Sequence, residues 1–119
     1  MATKALSAAN FNEVTAGDGI VLVDFWAAWC GPCRAFAPVY EKASERHSDI
    51  VFGKVDTDAE QELAEQFQIR SIPTIMAVRD GVIVFEQPGA LPESALESLI
   101  EQVRALDMDE VRKQVGAGT

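Results

Sequence analysis

Cys30 and Cys33 are the only two cysteines in the chain, and they stand three residues apart in Trp29-Cys30-Gly31-Pro32-Cys33, where an apolar run gives way to a helical one. A dithiol at i and i+3, opening a helix, can exchange a disulfide with another protein. The helix N-terminus carries partial positive charge and free N–H donors, and both favour a thiolate. The thiolate attacks a disulfide sulfur, and the second thiol then closes the ring and releases the product. Cys30, at the helix start, is the expected nucleophile, its sulfur facing solvent. Cys33, one turn inward on the same side, is within reach for resolution. The same pair could instead be two ordinary buried cysteines, or half of a zinc site. Zinc usually takes four ligands, and His47 is the only other soft donor, so no metal is expected.

Asp24 is the second chemical anomaly. It interrupts Ile20-Val21-Leu22-Val23-Asp24-Phe25-Trp26-Ala27, which is otherwise apolar, and it shares a strand face with Leu22 and Trp26. Burial raises a carboxyl pKa, and a group so poised can pass protons near neutral pH. The competing reading is a strand-edge aspartate facing water, which the apolar flanks disfavour. Pro73 follows Ile72 just before another apolar run. General odds there favour a trans bond, and the residues alone do not overturn them.

These residues need elements to hold them. The run from Ile20 to Ala27 reads as a strand buried on both faces, at the centre of a partly parallel sheet. After the cysteines, Phe36, Val39, Tyr40 and Ala43 make one face of a helix reaching about His47, with Pro38 inside it as a kink. Ile50 to Asp56 is a second strand. Asp58 and Gln61 have capping-box spacing and open a helix that buries Leu63, Ala64 and Phe67. Thr74 to Val78 is a third strand, and Asp80-Gly81 turns it into Val82 to Phe85. Pro92 suits a first helical turn ahead of Leu96, Leu99, Ile100 and Val103. At the N-terminus, Ser7 caps a short helix through Val14, with Ala8 and Phe11 inward. The order is βαβαββα after that short element, with parallel pairing across the helices and antiparallel pairing at the hairpin edge.

The chain has 119 residues, 48% of them hydrophobic, which suits one compact domain acting as a monomer. Its net charge of −9 would be repelled by phosphate backbones and anionic lipid, so neither nucleic acid nor a membrane is an expected partner. No apolar stretch reaches the ~20 residues of a spanning helix, and Met1 to Asn10 has no signal-peptide core. Both cysteines lie in one motif, leaving none for a structural framework, which fits a reducing cytoplasm.

Several spaced motifs together resemble the thioredoxin family over roughly residues 5 to 105. They are Val23-Asp24-Phe25-Trp26-Ala27, Trp29-Cys30-Gly31-Pro32-Cys33, Ala37-Pro38, Lys54-Val55-Asp56, Ile69-Arg70-Ser71-Ile72-Pro73-Thr74, Asp80-Gly81 and Gly89-Ala90. The resemblance implies an α/β thioredoxin fold, a central mixed sheet flanked by helices on both faces. It implies that Cys30 attacks and Cys33 resolves, that the two form the redox-active disulfide, and that Asp24 lies near Cys33 with Lys54 its neighbour. It implies a cis Pro73 packed against the disulfide. A docking surface of Trp29, Gly31, Pro32, Ile72, Pro73, Gly89 and Ala90 follows from it, as does reduction of disulfides in partner proteins. Electrons would come from NADPH through a flavin-containing thioredoxin reductase, the domain itself binding no cofactor.

The departures are few. Arg34 stands where lysine is frequent, and Thr57 and Pro88 replace apolar residues near the dock. Residues 1–106 cover the domain, leaving 107–119 as a tail. Asp107 and Glu110 have capping-box spacing there, with Met108, Val111 and Val115 on one face and Gly116-Ala117-Gly118 as a stop, so a short helix and a solvated tail both fit. Two rival functions remain. An oxidant of this fold usually carries a histidine between the cysteines, whereas Gly31-Pro32 resembles the reducing members. A redox-independent binding module would use the apolar dock alone and survive loss of both thiols.

Overall fold

The computed structural model describes residues 2–117, and the side chains of 2–114. Its elements are β1 (Thr3–Ala5), α1 (Phe11–Thr15), β2 (Ile20–Trp26), α2 (Gly31–Arg46), β3 (Val51–Asp56), α3 (Gln61–Gln66), β4 (Thr74–Arg79), β5 (Val82–Pro88), α4 (Glu93–Arg104) and α5 (Met108–Ala117). A continuous apolar run becomes a doubly buried strand when neighbours pair on both sides of it, and β2 takes that place in a five-stranded sheet of order β1-β3-β2-β4-β5. β3 runs parallel to β2, with Lys54 opposite Asp24. β4 runs antiparallel on the other side, with Ile75 opposite Asp24. The hairpin into β5 turns on Asp80 and Gly81 at φ 52° and 80°, the positive angles that an Asp-Gly turn supplies.

Side chains alternate across a strand, so the sheet buries two separate layers. On one face, α2 and α4 bring Phe36, Tyr40, Leu96 and Ile100 against Leu22, Phe52, Ile75 and Ala77. On the other, α1 and α3 bring Phe11 and Leu63 against Val23, Phe25, Val55 and Met76. The expected mixed sheet with helices on both faces is therefore the fold. Pro38 lies within α2, which continues through it to Arg46. None of the described helices is long and apolar enough to cross a membrane.

The N-terminal element differs from expectation. It is a strand paired with β3, then one turn of helix, not a helix from Ser7 to Val14. Three residues at a sheet edge carry no readable periodicity. Asn10 occupies the cap position, the Ser7 hydroxyl accepts from the Ala9 N–H, and Ala8 is exposed while Phe11 is buried. The capping box of Asp58 and Gln61 does not form. Glu60 precedes α3, and the Asp58 carboxylate turns away to the Trp29 indole.

The tail forms the helical alternative. The Asp107 carboxylate accepts the N–H groups of Asp109 and Glu110 at 3.1 and 3.3 Å, with Met108 buried and Val111 half-buried. The Val115 side chain and Gly118 lie outside the described residues. Arg79, at the end of β4, donates one guanidinium nitrogen to the carbonyls of Val103, Arg104 and Leu106, and Arg112 pairs with Asp80 at 3.4 Å. α5 is thus tied to the hairpin end of the sheet.

Candidate active site

The turn after β2 delivers Cys30 to the N-cap of α2, with extended backbone at φ −85° and ψ 113°. Pro32 falls in the first helical turn, where a missing N–H costs nothing. Cys30 and Cys33 are joined as a disulfide, their Cα atoms 5.2 Å apart. The Cys30 sulfur accepts the Cys33 N–H at 3.2 Å and lies 3.7 Å from the Ile72 carbonyl oxygen. Cys30 is only 4% exposed and Cys33 3%. The expectation that Cys30 faces solvent is therefore not met in the disulfide form, because Ala27, Trp26 and Ile72 pack around the pair.

Around the cysteines, Gly31, Pro32, Gly89 and Ala90 are exposed, Ile72 is half-buried and Pro73 is buried. The Ile72-Pro73 bond is cis. The Pro73 carbonyl accepts the Gly89 N–H at 2.7 Å, and Gly89 has φ 105°, a conformation that glycine adopts without strain. Trp29 is the most exposed large apolar side chain described, at 68%. Its indole N–H donates to Asp58 at 3.0 Å. Spacing alone presented Asp58 as a cap, so its tie to Trp29 was missed.

Asp24 is 1% exposed, and neither carboxylate oxygen has a hydrogen-bond partner. Burial raises its pKa to about 7, partly offset by the Lys54 ammonium. Lys54 is half-buried, and its ammonium lies 4.9 Å from the Trp26 ring centroid. It lines a groove of about 530 Å³ with Trp26, Asp56 and Ser7. Asp24 shares the β2 face that α2 covers, and Cys33 lies on the buried face of that helix. Among the described residues, no three His, Cys, Asp or Glu side chains gather to hold a metal.

The sequence profile of the family described as Thioredoxin matches residues 2–102. A Streptomyces coelicolor protein assigned as thioredoxin 2 is 60% identical over 113 residues, covering 95% of this chain and 84% of that protein. Thioredoxin of Alicyclobacillus acidocaldarius is 45% identical, covering 86% of this chain and 98% of its own. The solved structure of Plasmodium falciparum thioredoxin superposes with a TM-score of 0.78 at 40% identity, covering 84% of this chain and 98% of that one. The chain belongs to the thioredoxin family. Its Cys30–Cys33 pair makes it a thiol–disulfide oxidoreductase, a reductase of disulfides in client proteins.

Proposed function

We propose that Cys30 attacks the client disulfide and Cys33 resolves the product. The observation that carries this is the sulfur of Cys30 at the N-cap of α2, accepting the Cys33 N–H at 3.2 Å. That donor and the helix dipole stabilise negative charge on Cys30 once the pair is reduced. Attack by the Cys30 thiolate joins it to one client sulfur, and the other leaves as a thiolate. Asp24 then takes the proton of the Cys33 thiol. The Cys33 sulfur bonds to that of Cys30, and the client's second sulfur departs with the electron pair. Lys54 tunes Asp24 through its charge.

The dock is Trp29, Gly31, Pro32, Ile72, Pro73, Gly89 and Ala90. Its exposed members give an apolar, low-relief surface, and the Ile72 backbone can pair with an extended client segment. The oxidised protein is recharged by an NADPH- and flavin-dependent thioredoxin reductase in the cytoplasm. The chain acts as a monomer and binds no cofactor, metal or nucleic acid itself. Residues 1–106 carry the chemistry and 107–119 are accessory. No observation favours the redox-independent docking module.

Trapping tests the assignment. Cys33→Ser accumulates mixed disulfides with cell proteins on non-reducing gels, and Cys30→Ser accumulates none. Equal trapping by both variants would overturn the order of attack.

A further inference from the structure

Tyr40 lies on α2 seven residues after Cys33, on the same buried face as Cys33 and Phe36. Its ring is wholly buried, with the Phe36 and Phe52 rings 5.6 and 5.2 Å away. Packing alone would be served by Phe or Leu. A hydroxyl taken out of water must find a partner or destabilise the core. This one donates to the backbone carbonyl of Gly53 at 2.8 Å. Gly53 stands opposite Val23 and precedes Lys54, so the gripped carbonyl is one residue from Lys54 and one register step from Asp24.

Along the buried face of α2, this is the only hydrogen bond to the sheet among the described residues. Ser44 donates back to Glu41 of its own helix, and the Cys33 N–H stays with Cys30. Apolar contacts are non-directional and hold α2 down without fixing its height along the strands. A hydrogen bond is directional and does fix it. What it registers is α2, with both cysteines at its head, against β2 and β3, which carry Asp24 and Lys54.

We propose that Tyr40 is a positioning residue for the proton transfer between Cys33 and Asp24, bridging α2 to β3 at the level of the Asp24–Lys54 pair. This rests on Asp24 being the proton acceptor. The groups around that carboxylate are Lys54 from β3, Tyr40 from α2, on whose phenol its charge acts, Ile75 from β4, and Leu22 and Trp26 on its own strand face. Burial, and then the charge of Asp24, hold the Tyr40 phenol well above its ordinary pKa, so its O–H stays a donor throughout the working range. Losing that hydroxyl leaves the carboxylate in a less polar layer, which favours its neutral form.

The test is dithiothreitol-driven reduction of insulin from about pH 5.5 to 9, comparing the parent with Tyr40→Phe, Asp24→Asn and Ala43→Gly. The last loosens the same helix face without touching a polar group. For Tyr40→Phe, KM stays within about twofold and kcat at pH 7 falls about two- to fivefold, as the rising limb moves up by about 0.5 to 1 in pH. Ala43→Gly leaves the limb in place. A Tyr40→Phe limb that coincides with the parent's, or a shift matched by Ala43→Gly, overturns the inference. Ionisation of the thiols adds a rising limb of its own, so the decisive comparison is with the parent: an Asp24→Asn profile that coincides with the parent's removes the Asp24 assignment and this inference with it. A profile altered in Asp24→Asn but unmoved in Tyr40→Phe removes the Tyr40 inference alone.

Discussion

Lys54 and Asp24 face each other across the β2–β3 pair, yet no hydrogen bond joins them: the Lys54 ammonium lies over the Trp26 ring, 4.9 Å from its centroid. A direct pair would hold the carboxylate ionised. A charge at one remove only moderates the cost of burial, which leaves Asp24 able to gain or lose a proton near neutrality.

Asp24→Asn is expected to stabilise the protein at pH 8 and slow disulfide reduction at pH 7. The folded pKa is raised to about 7 from the ordinary 3.8 of an aspartate. A carboxyl raised in the folded state weakens folding as pH climbs from the unfolded to the folded pKa, and the loss is complete above the latter. The gain on substitution is therefore absent near pH 4, grows to pH 7 and then levels off, with an upper bound of ~4 kcal/mol. Urea midpoints at several pH values check the sign. A gain independent of pH would refute it.

Lys54→Met removes the charge that offsets the burial of Asp24. The rising limb of the pH–rate profile should move to higher pH, with turnover at pH 7 down about two- to fivefold. A limb that stays fixed or moves to lower pH would contradict a tuning role for Lys54.

Trp29→Ala should raise KM for a protein disulfide about tenfold, equivalent to ~1.4 kcal/mol, with kcat little changed. The ring is exposed beside the cysteines and has apolar area to bury against a client. Asp58→Ala frees the same ring from its hydrogen bond and should give a smaller rise of the same kind. Steady-state kinetics separate the two constants, and a fall in kcat alone would place Trp29 outside docking.

Deleting Asp107 to Thr119 should leave reductase turnover within about twofold, because the residues assigned to the chemistry all precede it. Stability should fall by ~2 kcal/mol with the burial of Met108 and Val111. Turnover and denaturant midpoints measured on one preparation distinguish the effects. A tenfold loss of turnover in the folded truncation would tie the tail to the site.

The parts legible in the sequence were those with a strong local signature. β2 was readable because eight nearly continuous apolar residues have few other uses, and Asp24 was conspicuous by interrupting them. The cis bond at Pro73 was legible only through the family resemblance, since X-Pro statistics favour trans. β1 was missed because Thr3, Lys4 and Ala5 owe their extended form to β3, far along the chain at Phe52 to Lys54, and not to their own pattern. Asp58 misled because a carboxylate three residues before a glutamine fits a cap equally well, and only the fold brings the Trp29 indole within reach. Tyr40 passed as one more apolar position, since helical spacing does not distinguish a ring from a ring with a hydroxyl.

The anchoring of α5 has a practical side. Arg79 holds the segment that leads into it and Arg112 pairs it with Asp80 of the turn, while the cysteines and Pro73 lie at the opposite end of β2 and β4. An affinity tag, a surface linker or a fluorophore attached beyond α5 would hang from the far pole of the molecule. Immobilised in that way, the protein would present its dithiol outward, and a column of it could capture clients without the matrix standing in their path.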